Sequence, residues 1–165
     1  MIKLYKRHAN GVLAYHEAWI NDQEITEHWG KVGTRGESRK HQSKSRAGNR
    51  DLEKILRPAR QAGFVEIDMD EHRRLIVEYV VSDMGTSADL EKRHRFEERL
   101  NQALGWTGLG ECDGGSIGSG TMEVCCFVVD FAIAKSIVAH DLAGTEFADF
   151  SGIFDEDGDA DTQVQ

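Results

Sequence analysis

One short turn-forming segment constrains the fold of this chain more than any other feature. Residues 29–37 read WGKVGTRGE, so a tryptophan stands before three glycines that fall within seven positions. Glycine adopts positive φ angles and lets other atoms approach the backbone, so this spacing predicts a tight turn. Residues 15–21 and 25–29 have the alternating, extended character of strands, and we predict that a strand runs directly into the turn.

Three side chains of this turn, those of Trp29, Lys31 and Arg35, combine a flat ring with two cations. This combination suits a nucleic-acid backbone and an exposed base. A core position for Trp29 explains the same residue equally well, so both interpretations stay open. Arg39 and Lys40 follow in a polar segment, residues 37–42, which we predict to be an edge strand. Cations on an edge strand also have a purely structural explanation, because they discourage pairing with other chains.

The region around the turn is basic as a whole. Residues 31–60 contain ten basic and three acidic residues, a net charge of +7. A run of this kind is usually a solvated face, but here it coincides with the tryptophan turn. We therefore predict an anion-binding surface for nucleic acid, with five candidate residues: Trp29, Lys31, Arg35, Arg39 and Lys40.

The segment from Trp29 to Gly36 resembles the signature of the WGR (tryptophan-glycine-arginine) domain, and the likeness spans about residues 1–66. It is supported by an opening strand at residues 2–5, a long second strand and the Gly63-Phe64 pair after a helix. The resemblance implies a small antiparallel sheet with one packed helix. WGR domains occur in DNA-damage-responsive poly(ADP-ribose) polymerases and in many bacterial proteins of unknown role.

Two residues depart from the WGR pattern. The signature arginine is Lys31, which keeps the charge but lacks the planar fork that grips a phosphate with two hydrogen bonds. Pro58 falls inside the predicted helix, whose apolar stripe is formed by Leu52, Ile55, Leu56 and Ala59, and we expect it to kink or shorten that helix.

Charge divides the chain into two parts. Residues 1–67 contain 13 basic and 8 acidic residues, a net charge of +5, whereas residues 68–165 contain 7 and 21, a net charge of −14. The two values sum to the −9 of the whole chain. This asymmetry predicts two units that have different partners or that partner each other.

The C-terminal half alternates strands and helices. An apolar strand at residues 73–81 precedes a helix opened by a Thr86–Asp89 capping box, and a stretch with six glycines, residues 108–120, follows as a hairpin. A strand at residues 122–129, a helix capped by Asp130 and a last strand within residues 147–154 complete the order. This is the strand order of a ferredoxin-like βαββαβ domain.

The predicted fold class is therefore α+β. Residues 1–67 form the WGR-like domain, residues 71–154 form the ferredoxin-like domain, and residues 155–165 form an acidic tail. A short acidic linker at residues 66–71 joins the two domains.

Several functional classes find no support in the sequence. The glycine-rich stretch lacks both G-x-G-x-x-G and a phosphate-binding Lys-Ser/Thr ending, and the acidic residues 155–161 do not match a calcium loop. The three cysteines form neither a disulfide framework nor a zinc spacing. We expect no catalytic residues, no metal, no cofactor and no membrane segment, and we expect a cytoplasmic location.

Three functions are ranked by these observations. The first is a non-catalytic protein that binds nucleic acid, DNA in particular, through the basic WGR-like domain, although the acidity of the whole chain opposes this. The second is an interaction or regulatory adaptor, in which the basic domain binds an acidic protein surface and the acidic domain is a docking face. The third is an enzyme that acts on a small molecule in a ferredoxin-like cleft. No feature of the sequence indicates an oligomeric state.

Overall fold

The structure of the protein, a computed structural model, describes residues 1–42, 48–156 and 158. It has the predicted α+β composition, with three helices and two four-stranded antiparallel sheets in the described residues. The chain forms two compact units. The first comprises Met1–Asp68 together with Trp106–Gly108, and the second comprises Met69–Gly105 and the chain from Leu109 onward. By number, Trp106–Gly108 lie inside the segment that we assigned to the second domain.

The first unit is a four-stranded meander with one helix. Its strands β1 (Ile2–Arg7), β2 (Leu13–Asn21), β3 (Glu24–Lys31) and β4 (Glu37–Gln42) are neighbours in chain order, and helix α1 spans Gly48–Gln61. The polar edge strand at residues 37–42 is confirmed. One core cluster joins the helix to the sheet, and its buried members are Leu4, Ala18, Ile25, Leu52, Leu56 and Ala59.

Helix α1 continues past Pro58, so the expected interruption at this residue is wrong. Pro58 is exposed, and its carbonyl still accepts a hydrogen bond from the Ala62 amide at 3.0 Å, so the final turn stays intact. Gly63, two residues after the end of the helix, has φ +89°. The amide of Gly63 bonds to the Arg60 carbonyl and the amide of Phe64 to the Ala59 carbonyl, the pattern of a Schellman cap.

The second unit has the ferredoxin-like order of elements. A 3-10 turn (Met69–Glu71) leads into β5 (Arg73–Val80), α2 (Ser87–Gly105), β6 (Gly110–Gly118), β7 (Thr121–Val128), α3 (Phe131–Leu142) and β8 (Gly152–Asp155). The spatial order of the strands is β6-β7-β5-β8, with all neighbours antiparallel. This is the strand arrangement of the split βαβ fold.

Both predicted caps of the second unit are confirmed. The Asp89 carboxylate accepts hydrogen bonds from the Thr86 amide and hydroxyl, and the Asp130 carboxylate accepts one from the Ile133 amide at 3.0 Å. The glycine-rich stretch forms the predicted hairpin: β6 takes up most of it, pairs with β7 and contains a bulge at Asp113. Glycine lets this strand lie close to β7, since a Cβ at Gly115 would lie 2.2 Å from the Glu123 carbonyl oxygen.

The predicted acidic tail begins inside the second sheet. Asp155 is the last residue of β8, pairs in register with Leu75 and forms an ion pair with Arg73 at 2.7 Å. Residue 157 and residues 159–165 of the tail lie outside the described residues. In the described ranges, no helix combines the length and the apolar character needed to cross a membrane.

Candidate nucleic-acid interface

The register of the first sheet places Trp29 in a row with three other side chains. Leu4 pairs with His16, His16 with Trp29, and Trp29 with Glu37. Because side chains alternate between the two faces of a sheet, the row projects on the face where α1 packs against Leu4. Trp29 is half-buried on this face. Its ring is therefore partly packed and partly available to a ligand.

Two side chains from neighbouring strands contact the Trp29 ring. The guanidinium carbon of Arg39 lies 5.6 Å from the ring centroid, within the range of a cation–π interaction. The His16 ring lies 5.7 Å away, with 31° between the ring planes. The structure thus unites Trp29 and Arg39, two of the predicted site residues, and adds His16 to them.

The carboxylate of Glu27 holds two histidines on the same face. One oxygen accepts a hydrogen bond from His16 Nε2 at 2.8 Å, and the other accepts one from His41 Nε2 at 2.7 Å. Burial raises the pKa of Glu27, but the two histidines outweigh burial and hold that pKa below its ordinary value. Glu27 is therefore a carboxylate that orients His16 beside the tryptophan.

Lys31 projects from the same face as Trp29, since the two residues are two positions apart on β3. In register, Lys31 pairs with Ala14, which pairs with Lys6 on β1. The Lys6 ammonium group donates a hydrogen bond to the Ala62 carbonyl and lies 5.9 Å from the centroid of the Phe64 ring. Two lysines thus stand on the same row, about 10 Å apart from strand spacing alone.

These residues form one continuous area, which we call the Trp29 surface. Its members are Lys6, His16, Trp29, Lys31, Arg39 and Phe64. The Phe64 ring meets the His16 ring edge-on at 6.0 Å, which links the end of α1 to the sheet. We did not predict Lys6 or His16 as site residues, because only the strand register brings them to Trp29. The sequence did single out Phe64, because it is the aromatic residue that follows the glycine after the helix.

Lys31 and Arg35 are exposed cations without an assigned structural role. Across the described residues, neither side chain forms a hydrogen bond or an ion pair. Arg35 lies in the turn after β3, outside the strands. Both side chains are therefore free to meet an anion from solvent.

Lys40 is separated from the other predicted site residues. It pairs in register with Thr26, so it projects on the face opposite to Trp29 and Arg39. Its ammonium group forms an ion pair with Glu24 at 2.8 Å. The two cations that are adjacent in sequence, Arg39 and Lys40, thus serve different faces of the sheet.

The glycines of the turn are required by close packing of the backbone. A Cβ at Gly30 would lie 2.7 Å from Gly36 Cα, and a Cβ at Gly36 would lie 2.2 Å from the Trp29 carbonyl oxygen. Gly36 also has φ +60°, which disfavours other residues. The first and third glycines of the motif therefore let the turn fold back onto the strand that carries Trp29.

A buried polar network holds the turn from the opposite face of the sheet. His28 Nδ1 lies 2.8 Å from a Glu17 carboxylate oxygen, and His28 Nε2 lies 2.6 Å from the Arg35 carbonyl oxygen. The Tyr15 hydroxyl lies 2.9 Å from His28 Nε2 and donates to the Thr34 carbonyl at 3.1 Å. Two carbonyls of the turn are thus fixed by side chains of the sheet.

The partners of His28 favour a ring with protons on both nitrogens. The Arg35 carbonyl can only accept, so Nε2 donates, and the Glu17 carboxylate accepts from Nδ1. Burial lowers the pKa of His28, but the hydrogen bonds to Glu17 and to the Arg35 carbonyl raise it above its ordinary value of 6.5. These contacts favour the imidazolium form of His28, and the Glu17 carboxylate beside it also pairs with Lys3 at 3.1 Å.

Trp106–Gly108 lie beside His28 and the turn on this face of the first sheet. The Trp106 ring lies 5.2 Å from the His28 ring and 5.8 Å from the Trp19 ring. The Thr107 carbonyl accepts a hydrogen bond from the Gly33 amide at 2.9 Å, so this segment holds the turn directly. Glu17 and His28 are only 2% and 1% exposed, which keeps them from contacting a substrate.

The described residues contain no group of three or more His, Cys, Asp or Glu side chains that could hold a metal ion. The site is thus a partly exposed aromatic and cationic surface beside a turn. Side chains on the opposite face of the sheet hold the backbone of this turn by hydrogen bonds. Such an arrangement can bind an anionic or aromatic ligand.

Comparison of the chain with models of protein families, with curated proteins and with solved structures found no match. The resemblance to WGR domains rests on the residues quoted above and stays a prediction.

Proposed function

We propose that the first unit is a non-catalytic module that binds nucleic acid, DNA in the first place, through the Trp29 surface and Arg35. The observation that carries the proposal is the half-buried Trp29 ring with Arg39 against it and exposed Lys31 on the same face, followed by exposed Arg35 in the turn; neither Lys31 nor Arg35 has a structural partner in the described residues. A flat ring bordered by cations is the combination that binds stacked bases together with their phosphates.

Each residue has a separate role in this proposal. The Trp29 ring stacks on an unpaired base, an interaction worth about 1–3 kcal/mol. Lys31 and Arg35 neutralise phosphates on the adjacent backbone, and Arg39 lies against the ring and reaches the phosphate of the stacked nucleotide. Because Lys31 stands where the WGR signature has arginine, it acts as a point charge and contributes no bidentate geometry.

The turn that carries Arg35 supports the proposal by its internal bonding. Its Thr34 and Arg35 carbonyls accept hydrogen bonds from Tyr15 and His28, and its Gly33 amide bonds to Thr107. A backbone held in this way loses little conformational entropy when a ligand binds, which favours affinity. The chain thus presents Arg35 from a pre-organised segment.

Charge has two opposite effects on this function. The local charge of +7 over residues 31–60 attracts phosphates, whereas the charge of −14 over residues 68–165 repels them. On the surface itself, exposed Glu37 stands in register with Trp29 and adds one carboxylate. We therefore propose moderate affinity with a strong dependence on salt.

We place the protein in the cytoplasm.

The test is a binding titration of the full chain with labelled single-stranded DNA, duplex DNA and RNA at several salt concentrations. The informative variant is the Lys31→Ala, Arg35→Ala double substitution, and Lys40→Ala is the matched control. Each loss of a phosphate contact should flatten the slope of log K against log salt by about 0.9 for duplex and about 0.7 for single strands. The double variant should lose about twice that amount, and Lys40→Ala should retain the slope.

A loss in Lys40→Ala of about half the loss in the double variant would mean that each cation counts alike wherever it lies, and would contradict a site at the Trp29 surface. Binding that is unchanged in the double variant would show that the turn is a feature of the fold alone. In that case an acidic protein surface becomes the better candidate for the partner of the basic unit.

A further inference from the structure

Two cysteines of the second unit face each other across neighbouring strands. Cys112 on β6 and Cys126 on β7 are direct partners in register, and their Sγ atoms lie 2.9 Å apart. A disulfide bond needs an S–S distance of about 2.05 Å and Cα atoms no more than about 7 Å apart, which paired strands provide. A movement of less than about 1 Å would therefore bring the sulfur atoms to bonding distance.

The backbone holds this pair in place. The Cys112 amide donates a hydrogen bond to the Asn101 side-chain oxygen at 2.8 Å, which ties β6 to α2 at this residue. Cys126 is fully buried in the middle of β7. The register shifts directly after Cys112, where Asp113 forms a bulge, so the strand can adjust next to the pair.

The third cysteine is excluded from the pair by the geometry of the strand. Cys125 precedes Cys126 on β7, so its side chain points to the opposite face of the sheet. Its partner in register is Gly114, which has no side chain. All three cysteines are free thiols in this structure.

We propose that Cys112 and Cys126 form a reversible modification site, an intramolecular disulfide that a hydroperoxide generates and a dithiol removes. In the first step the Cys112 sulfur attacks one peroxide oxygen, the O–O bond breaks, and Cys112 becomes a sulfenic acid while water or an alcohol leaves. In the second step the Cys126 sulfur attacks the Cys112 sulfur, and the sulfenic oxygen leaves as water with the Cys126 proton. The two sulfurs together give two electrons to the peroxide.

The order of the two steps follows from exposure. Cys112 is half-exposed and meets the oxidant first, whereas Cys126 is covered. The hydrogen bond with Cys112 and burial raise the pKa of the Cys126 thiol, so Cys126 stays protonated until it resolves the sulfenic acid. Burial likewise raises the pKa of the Cys125 thiol, which makes it a poor competitor.

The bond would reinforce a strand that is rich in glycine. Four of the nine residues of β6 are glycine, so this strand contributes few side chains to the core. A covalent link between β6 and β7 also restricts the unfolded chain, which is the main way in which disulfides stabilise proteins. The oxidised protein should therefore resist unfolding better than the reduced protein.

The experiment treats the reduced full chain with hydrogen peroxide, counts free thiols and maps disulfide-linked peptides by mass spectrometry. The three thiols of the chain should fall to one, with a 112–126 link that dithiothreitol reverses. The oxidised protein should show a Tm higher by at least about 4 °C. The Cys125→Ser variant is the matched control and should form the same link, whereas Cys112→Ser should form no intramolecular link.

Three results would overturn the proposal. One is a full count of free thiols after excess peroxide, another is a link that joins Cys125 or two chains, and the last is a Cys112 that advances to sulfinic acid while Cys126 stays reduced. These readouts on the unsubstituted protein do not depend on whether a cysteine variant folds.

Discussion

At the scale of single residues, Trp29 combines a packing role with an available ring. Its contacts with His16 and Arg39 place part of the ring against the sheet, and the rest of the half-buried side chain faces solvent. Truncation of a fully buried large aromatic residue costs about 3–5 kcal/mol. Because Trp29 is only half-buried, its removal should cost the fold less than that range.

We predict that Trp29→Ala lowers the free energy of unfolding by less than about 3 kcal/mol and weakens nucleic-acid binding by about 1–3 kcal/mol. Denaturant titration and the binding assay measure the two effects on the same preparation. Trp19→Ala is the matched control, because Trp19 is also half-buried but lies on the other face, against His28 and Trp106. If both substitutions weaken binding to the same extent, the Trp29 ring has no specific role.

His28 is the other residue with consequences beyond its own position. Its protonated form is favoured by Glu17 and by the Arg35 carbonyl, so the buried ring links its own charge to the position of the turn. A group whose pKa is raised on folding stabilises the protein fully below its unfolded-state pKa. That contribution disappears as the pH rises through the folded-state pKa.

We therefore expect the first unit to lose stability as the pH rises above 6.5, the ordinary pKa of His28. Urea unfolding followed by tryptophan fluorescence between about pH 6 and about pH 8 measures this change. His28→Gln cannot carry the charge, so it should be less stable than the unsubstituted protein at about pH 6 and should show a flatter dependence on pH. An identical pH dependence in both proteins would rule out a buried imidazolium at this position.

At the scale of elements, the signature turn is explained by packing before any ligand is considered. Gly30 and Gly36 permit contact between backbone segments that a Cβ would prevent, and Gly36 also needs a positive φ. Gly30 and Gly36 thus serve the fold, whereas the exposed cations Lys31 and Arg35 have no bonding partner in the described residues. The WGKVGTRG segment therefore combines glycines that packing requires with cations that packing does not require.

Gly36→Ala should be much more destabilising than Gly11→Ala. Both glycines have positive φ, which costs a residue with a Cβ about 1–2 kcal/mol. A Cβ at Gly11 meets nothing within 4 Å, whereas one at Gly36 would lie 2.2 Å from the Trp29 carbonyl oxygen. The difference between the two losses in free energy of unfolding measures the cost of the contact between the new Cβ and the Trp29 carbonyl oxygen. Equal losses would show that the turn has room to relax.

At the scale of the whole molecule, the first unit is assembled from two separate parts of the chain. Trp106–Gly108 follow α2 in sequence but group with Met1–Asp68. The segment contributes the Trp106 ring beside His28 and a carbonyl to the Gly33 amide. A fragment that ends at residue 67 therefore lacks part of its own unit, and binding studies need the full chain.

All three tryptophans of the chain belong to the first unit, so intrinsic fluorescence reports on that unit. We predict that Trp106→Ala lowers the urea midpoint of the remaining Trp19 and Trp29 fluorescence, because the cover over His28 and the contact with Trp19 are lost. Phe131→Ala, which removes a half-buried aromatic residue of the second unit, should shift this midpoint less. A larger shift for Phe131→Ala would contradict the assignment of Trp106 to the first core.

Local patterns in the amino-acid sequence are sufficient for most of the architecture. The capping residues Thr86, Asp89 and Asp130 and the apolar stripe of α1 predict the helices, because these signals act within a few positions of the chain. Alternation predicts the meander of the first sheet and the edge strand β4. One local expectation is wrong for a physical reason: the helix continues past Pro58, which is tolerated at an exposed helix position.

The composition of the candidate site depends instead on contacts between residues that are far apart in the chain. Only the register of four strands brings Lys6 and His16 to the face of Trp29, and only the alternation of β4 sends Lys40 to the opposite face. The same holds for His28, whose raised pKa follows from Glu17 and the Arg35 carbonyl, and for Cys112 and Cys126, which meet across a bulged ladder. Propensity and capping act over a single turn or strand, whereas protonation and proximity depend on the neighbours that folding supplies.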